Sequence, residues 1–281
     1  MVEEKYEHIK IEYPKSMEGG TVDGNYAIIS MNRPDKLNAL QVQTLKEIAT
    51  ALDTMDLDPN IRCVLLRGTK DFTKKPAFSA GADLSATMGN NVKPNIPIHM
   101  MQSQEYRHKY YDQIERFLKP LIAGVDGFAL GGGLELTLVC DVVIASKRSK
   151  FGFPEIARGI FPSNGGTQRM VQHIGAARVF NMMYFGEHYS AEQMHEWGFV
   201  THVVDDDKFE DYLHEKMKWL GEAATGSLAI IKKCIRYGTQ VPLNVGLQFE
   251  QIGFGINSAA KDIREGISAF LQKREPKFKG F

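Results

Sequence analysis

An apolar strand that runs into three consecutive glycines constrains this chain more than any other feature of its sequence. Gly131, Gly132 and Gly133 follow a largely apolar segment, and a helical pattern leaves them. Glycines at the start of a helix leave backbone N–H groups without intrahelical acceptors and direct the positive end of the helix dipole outward. The pattern therefore predicts a turn that presents hydrogen-bond donors to whatever lies there.

Two familiar interpretations of a glycine-rich turn do not fit. The segment is not G-x-G-x-x-G with an acidic residue about 20 positions later, and it lacks the Lys-Ser/Thr element of a P-loop. Glu135 lies in this segment between Leu134 and Leu136. Burying a carboxylate among apolar side chains costs free energy unless the group is paired, hydrogen-bonded or functional. A helix residue that faces the surface is the alternative at this point.

Two further segments carry candidate chemistry. Small residues between Phe78 and Leu84 would let a ligand approach the backbone closely, although a packed tight turn is the simpler explanation for that segment alone. In the second segment, Pro154 fits the first turn of a short helix and leaves Glu155 near its N-terminus. Glu155 either complements that helix dipole or forms, with Glu135, a pair of carboxylates that divide acid and base roles.

The remaining pattern is that of an α/β protein. Strand-like runs cover residues 8–13, 25–31, 63–66, 121–125 and 142–145, and an amphipathic stretch covers about 40–52. The polar segment 85–104 is predicted to be a long loop of the kind that is often a functional lid, followed by a helix over 105–118. From about residue 175 onward the pattern is almost wholly helical, with helices predicted at 206–222, 226–237, 242–257 and 260–273.

Composition excludes several classes of protein. The chain has 34 basic and 34 acidic residues, so its net charge gives no general attraction to nucleic acid or to an anionic membrane. There is neither an apolar run of membrane-spanning length nor the apolar core of a signal peptide, so a cytoplasmic location is expected. The three cysteines are widely spaced, which predicts free thiols in a reducing compartment. The histidines show no metal-ligand spacing, and the zincin-like start at His195 lacks its second histidine.

Taken together, the segments resemble the crotonase (enoyl-CoA hydratase/isomerase) superfamily. The stretches that carry the resemblance are Asn32 to Leu40, Phe78 to Leu84, Ala129 to Glu135, Pro154-Glu155, Gly165 to Arg169 and Phe270 to Arg274. They occur in the family's order and cover nearly the whole chain. The resemblance implies an α/β crotonase (ClpP-like) spiral of ββα repeats over residues 1–205. It also implies a helical C-terminal trimerisation region over 206–281.

The resemblance also implies a role for individual residues. The N–H groups of Ala82 and Gly132 form an oxyanion hole for a thioester carbonyl, Glu135 activates a water as base, and Glu155 protonates the α-carbon as acid. The expected coenzyme A contacts are Lys36, Leu37, Ala80, Asp83, Leu84 and Lys273. No metal or redox cofactor is implied, because coenzyme A enters as part of the substrate. Self-association as a trimer or a hexamer is expected.

One departure from the family pattern bears on the substrate. Where many members read Pro-Gly-Ala-Gly-Gly, this chain has Ser163 and Asn164 in the second and third positions. Both residues are expected to line the acyl pocket, and they predict a preference for short, polar acyl groups such as crotonyl- or 3-hydroxypropionyl-CoA.

Two alternatives stay open. The first is enoyl-CoA isomerisation, which typically needs only the acid at the Glu155 position, so the presence of Glu135 favours hydration. The second is a non-catalytic, RNA-binding member of the fold, which the zero net charge and the lack of a long basic stripe disfavour.

Overall fold

A computed structural model describes residues 6–85 and 97–280 of the chain. The strands are β1 (Ile9–Glu12), β2 (Tyr26–Met31), β3 (Cys63–Gly68), β4 (Ala77–Ser79), β5 (Leu121–Val125), β6 (Phe128–Leu130), β7 (Val142–Ser146), β8 (Lys150–Gly152), β9 (His188–Ser190) and β10 (His202–Val204). The helices up to residue 196 are α1 (Val42–Leu57), α2 (Pro97–Glu115), α3 (Gly132–Thr137), α4 (Gly166–Ile174), α5 (Ala176–Phe185) and α6 (Ala191–Glu196). Helices α7 (Phe209–Glu222), α8 (Thr225–Gly238), α9 (Leu243–Asn257) and α10 (Lys261–Leu271) follow, and 3-10 turns span Pro34–Lys36 and Pro154–Arg158.

The strands form two sheets, and from β3 to β8 successive strands alternate between them. The larger sheet has the order β1-β2-β3-β5-β7-β10, and the smaller has the order β4-β6-β8-β9. The pairs β3/β4, β5/β6 and β7/β8 each place one strand in the larger sheet and the next strand in the smaller one. Neighbouring strands are parallel except for β1 against β2 and β9 against β8. This alternation produces the spiral of strand pairs that the sequence predicts.

The central strands are apolar on both faces because the larger sheet is covered on both sides. Ile28 and Leu65 pack with Phe209 of α7 on one face. Their neighbours Ile29 and Leu66 turn the other way, into the main core that α1 also covers. Continuous apolar runs are typical of parallel strands buried in this way.

The carboxyl ends of the strands in the smaller sheet bring the candidate site segments together. Its parallel strands β4, β6 and β8 end at Ser79, Leu130 and Gly152, and Leu130 lies opposite Gly152 in the register. The carboxyl ends of parallel strands meet at one edge of a sheet, which is where open α/β sheets commonly bind ligands. The segments that follow these strands, 80–84, 131–135 and 153–155, are therefore brought together.

The helical prediction for the last third of the chain is accurate in its main elements and wrong in two places. Helices α7 to α10 lie where they were predicted, within three residues at each end. Strands β9 and β10 interrupt the region that was expected to be wholly helical. Each has only three residues, too few to show an alternating pattern, and each is stabilised by pairing with a distant strand. The boundary between residues 205 and 206 stays a prediction.

The predicted loop over 85–104 is also wrong in part. Residues 97–104 are helical, because α2 begins at Pro97 rather than at residue 105. Proline is well tolerated at the first position of a helix, where its missing N–H needs no acceptor. The segment 86–96 lies outside the described residues. Nowhere in the described ranges is there a helix with both the length and the apolar character needed to cross a membrane.

Candidate active site

Two backbone N–H groups face each other at the edge of the smaller sheet. A Cβ atom placed on Gly132, the first residue of α3, would lie 3.5 Å from the backbone nitrogen of Ala82. Within the part of the chain that the structure describes, neither N–H is donated to a protein acceptor. The two predicted oxyanion residues are therefore adjacent, and their shared role as donors to one oxygen stays a prediction.

Ala82 is held in place by hydrogen bonds on both sides. The Leu40 N–H donates to the carbonyl of Gly81, and the Asp83 N–H donates to the carbonyl of Leu40, each at 2.8 Å. These bonds fix both peptide units around Ala82 against a segment about 40 residues earlier in the chain. The Ala82 N–H is thus rigidly directed before any ligand binds, which is the condition for electrostatic preorganisation.

The Asp83 carboxylate stabilises the same turn through hydrogen bonds to three side chains. It accepts hydrogen bonds from Ser85 at 2.6 Å, from Gln41 at 3.0 Å and from Arg33 at 2.9 Å. These donors, Ser85 first, hold the pKa of Asp83 well below its usual range. Asp83 was predicted to contact coenzyme A, and the structure places its carboxylate among protein donors.

The glycines at the start of α3 have different roles. Gly131 has a φ of 50°, and a Cβ there would lie 2.6 Å from Oε1 of Glu155. Gly132 has no such conflict, since every atom near its Cβ position is at an ordinary contact distance. Glycine at 131 is required by the backbone and by Glu155, whereas glycine at 132 keeps the space between two donors open.

Glu135 is a buried carboxylate with three donors. It is 1% exposed, its Oε1 accepts from the N–H groups of Asn164 at 2.7 Å and Gly166 at 2.9 Å, and its Oε2 accepts from Nδ2 of Asn164 at 2.8 Å. Burial raises the pKa of Glu135, and these hydrogen bonds together with the nearby His108 oppose that rise. Three donors favour the ionised form, as a base requires.

Glu155 has the opposite surroundings. It follows Pro154 at the start of a 3-10 turn, as the sequence predicts, and its Oε2 is buried without a protein partner in the described part of the chain. Burial, with a further contribution from the negative charge of Glu135, raises the pKa of Glu155 to about 7. A carboxyl group in this setting retains its proton near neutral pH and can act as an acid.

The residues predicted to line the acyl pocket lie on the loop that approaches Glu135. Asn164 is 7% exposed, and its side chain binds the Glu135 carboxylate directly. The Oγ and carbonyl oxygen of Ser163 both accept from the side-chain amide of Gln104 in α2. Asn164 therefore contacts the predicted base, and Ser163 connects the same loop to α2.

A network of ion pairs supports that loop from behind. Arg169 donates to the carbonyl of Asn164 at 3.3 Å and to Glu115 at 2.5 Å. Glu115 also pairs with Arg236 of α8 at 2.7 Å, and Arg236 in turn binds Asp141 at 2.9 Å. The position of Asn164 thus depends on contacts that reach the C-terminal helices.

The predicted coenzyme A residues separate into two groups. Leu37 accepts a hydrogen bond from the Ala80 N–H at 2.9 Å, so the turn that contains Lys36 and Leu37 lies beside the strand end that leads to Leu84. Leu37 is in the left-handed region, with a φ of 49°. Lys273 is exposed after the end of α10, and its role stays a prediction.

Two residues of the site were given no role of their own by the sequence. Tyr111 of α2 is buried and donates from its hydroxyl to the carbonyl of Gly132 at 2.8 Å, which fixes the peptide after the predicted oxyanion donor. No local pattern distinguishes it from a core aromatic residue. Gly166 could have been identified, because a glycine at the first position of a helix offers a free N–H.

Comparison with known proteins shows the family to which the chain belongs. The enoyl-CoA hydratase/isomerase family matches residues 21–280, so the chain belongs to this family of enzymes. It is 35% identical to the 2,3-dehydroadipyl-CoA hydratase of Escherichia coli, with 90% of this chain and 94% of that protein covered. It is also 35% identical to the crotonyl-CoA hydratase of Syntrophomonas wolfei, with the same coverage.

A solved structure of an enoyl-CoA hydratase subunit from Geobacillus kaustophilus superposes with a TM-score of 0.87 at 33% identity. The match covers 98% of this chain and 99% of that one. The α/β crotonase fold predicted from the sequence is therefore confirmed.

Proposed function

We propose that this protein is an enoyl-CoA hydratase that adds water to short-chain 2-enoyl-CoA thioesters, or removes it from the 3-hydroxyacyl products. The observation that carries the proposal is a pair of carboxylates with unlike surroundings, the buried Glu135 and the half-buried Glu155, beside two adjacent N–H donors. Glu135 accepts three hydrogen bonds, whereas Oε2 of Glu155 accepts none from the described residues. One site thus supplies a base, an acid and a place for a developing negative charge.

The proposed mechanism begins at the thioester carbonyl. The N–H groups of Ala82 and Gly132 bind its oxygen and stabilise the enolate-like charge that forms as C3 is attacked. Glu135 accepts a proton from water while the water oxygen bonds to C3, and Glu155 gives its proton to C2. Each oxyanion donor of this type is worth on the order of 3 kcal/mol of activation free energy.

The assignment of base and acid rests on the donors around each carboxylate. Two nearby carboxylates in a buried site retain one proton more easily than they carry two charges. The three donors on Glu135 stabilise its charge, so we place the proton on Glu155. Syn addition of water follows if both groups act on one face of the double bond.

We further propose crotonyl-CoA and 3-hydroxypropionyl-CoA as substrates, which would place the activity nearest to that of a 3-hydroxypropionyl-CoA dehydratase/crotonyl-CoA hydratase. The polar side chains of Ser163 and Asn164 on the loop beside Glu135 support a short acyl group. The measurement is kcat/KM across 2-enoyl-CoA substrates from C4 to C10. We expect the highest value at C4, and a steady rise with chain length would contradict the short-chain preference.

For the coenzyme A portion, we assign the adenine to the strand end formed by Ala80, Ala82 and Leu84, with Lys36 and Leu37 beside it. Asp83 contributes by holding this turn through its hydrogen bonds with Arg33, Gln41 and Ser85. Lys273 is proposed to reach a coenzyme A phosphate on a neighbouring subunit.

We also propose that the chain assembles as a trimer or as a hexamer of two trimers. Large apolar side chains are exposed on α9 and α10, among them Leu243, Phe254 and Phe270. Exposed apolar area on this scale is typical of an interface. Sedimentation velocity should show a species of three or six chains, and a monomer at micromolar concentration would contradict the proposal.

The decisive experiment is a spectrophotometric assay of hydration with crotonyl-CoA and of dehydration with 3-hydroxypropionyl-CoA. The wild-type protein should turn over both substrates, and Glu135→Ala and Glu155→Ala should each abolish most of the activity. Full activity in either variant would contradict the mechanism. An inactive wild-type protein that binds both thioesters would contradict the proposed function itself.

A further inference from the structure

Apart from the oxygens of the two carboxylates, one buried polar atom in the site has no hydrogen-bond partner among the described residues. Asn164 is 7% exposed, and its Oδ1 accepts no hydrogen bond within the described residues, although its Nδ2 donates to Glu135. A buried amide oxygen without a donor is costly. An unsatisfied acceptor beside a base therefore points to a donor that arrives with the reaction.

The hydrogen bonds on Glu135 limit where that donor can bind. Oε1 already accepts two backbone N–H groups, so Oε2 is the oxygen with room for a further hydrogen bond. Nδ2 of Asn164 binds this same Oε2, so Oδ1 of the same amide is the next polar atom of that side chain. A donor with two hydrogens could reach Oε2 and Oδ1 together.

Water is such a donor, and buried waters usually have two to four polar partners. In hydration one hydrogen of the water leaves as a proton and the other stays on the oxygen. Glu135 accepts the hydrogen that leaves. The hydrogen that stays needs a second acceptor, and Oδ1 of Asn164 is a buried acceptor on the side chain that already binds Glu135.

We propose that Asn164 is a third catalytic residue, which binds the attacking water through Oδ1 while its Nδ2 holds Glu135. This inference rests on the proposed hydratase function. As the water oxygen bonds to C3, the π electrons of the double bond move toward the thioester, Glu135 takes one proton, and Glu155 supplies the proton to C2. The second hydrogen remains on oxygen, bound to Oδ1, and becomes the hydroxyl hydrogen of the product.

Asn164→Ala tests this role, and it removes Oδ1 together with one of the three donors to Glu135. The carboxylate keeps its two backbone donors, from residues 164 and 166, because neither depends on the side chain. Crystal structures of the wild-type and variant proteins should be solved with butyryl-CoA, which has no double bond to hydrate. We expect a water within 3.2 Å of both Oε2 and Oδ1 in the wild-type complex, at ordinary hydrogen-bond distances. In the variant this water should be absent or displaced.

Kinetics supply a second readout, which compares hydration with the chemistry at C2 alone. Exchange of the C2 hydrogens of butyryl-CoA in heavy water needs the oxyanion donors and Glu155 but no water at C3. Loss of a hydrogen bond that strengthens with developing charge costs about 10- to 100-fold. The ratio of crotonyl-CoA hydration to C2 exchange should therefore fall at least tenfold in Asn164→Ala.

Asn181→Ala is the matched control. It removes a carboxamide that donates to the Tyr189 hydroxyl, outside the candidate active site. It should leave the ratio of hydration to C2 exchange unchanged. An unchanged ratio in folded Asn164→Ala, or a wild-type complex in which no water contacts Oδ1, would overturn the inference while the hydratase proposal stands. A wild-type protein with C2 exchange but no hydration of any 2-enoyl-CoA would overturn both.

Discussion

Glu135 and Glu155 are the same residue type in one site, and the structure surrounds them differently. The loop that ends at Gly166 brings three N–H donors to Glu135. The 3-10 turn after Pro154 leaves Oε2 of Glu155 buried and without a donor among the described residues. The first arrangement stabilises a negative charge, and the second stabilises a proton. The difference supports our proposal that neighbouring donors, rather than the identity of the side chain, assign the acid and base functions.

The largest expected effect comes from replacing either carboxylate by a neutral amide. Glu135→Gln and Glu155→Gln should each lower kcat for crotonyl-CoA hydration by about 10²- to 10⁴-fold, because each removes a general acid–base catalyst. The two variants should differ in stability. Glu135→Gln leaves one of three donors facing another N–H group, so its Tm should fall, whereas that of Glu155→Gln should not. Equal losses of Tm, measured by calorimetry, would contradict the difference described above.

A smaller loss should follow from a change that leaves both carboxylates intact. Gly132→Ala places a methyl group 3.5 Å from the Ala82 nitrogen, at an ordinary contact distance, so the fold should tolerate it. The methyl group would occupy the space for the thioester oxygen, and we expect kcat/KM to fall by about 10²-fold. Gly131→Ala is the contrasting variant, since its φ of 50° and its approach to Glu155 should lower Tm as well. A fully active Gly132→Ala would exclude this oxyanion site.

The pH dependence should report the same difference between the two groups. With the pKa of Glu155 raised to about 7, its proton is lost as pH rises through that value, and kcat/KM should fall by about tenfold per pH unit above it. Activity should also fall at low pH, when Glu135 becomes protonated. Initial rates with crotonyl-CoA from pH 5 to 9 measure both limbs. Activity that stays constant between pH 7 and 9 would contradict a proton on Glu155.

The smallest expected effect is on stability. The pKa of Glu155 is about 7 in the folded protein, against 4.5 as its ordinary value. The folded state therefore favours the protonated form, and the group's favourable contribution is complete below pH 4.5 and is lost as pH rises through 7. Glu155→Gln keeps a neutral group at every pH. Urea unfolding should show the variant about 1–3 kcal/mol more stable than wild type at pH 8 and nearly equal at pH 4.5. A difference that does not depend on pH would rule out this linkage.

Much of the architecture follows from local patterns. The apolar strands, the glycine turn before Glu135, the short turn after Pro154 and the C-terminal helices are all readable from residue spacing, because each depends on neighbours within one element. The early start of α2 and the short strands β4, β8, β9 and β10 were not predicted. A three-residue strand has no pattern of its own and exists because a distant strand pairs with it.

The sequence by itself determined which segments would carry chemistry, since bare-backbone turns and acids in apolar company are local features. Only the tertiary structure decided what each acid does. The hydrogen-bond donors that stabilise the negative charge of Glu135 come from residues 29 and 31 positions later. The Arg33–Asp83 contact that anchors the Ala82 turn spans 50 positions. Such contacts depend on strand register and loop packing, which no local spacing encodes. Asn164 follows the same rule, because its sequence position predicts an acyl-pocket residue and the fold places its amide on Glu135, the proposed base.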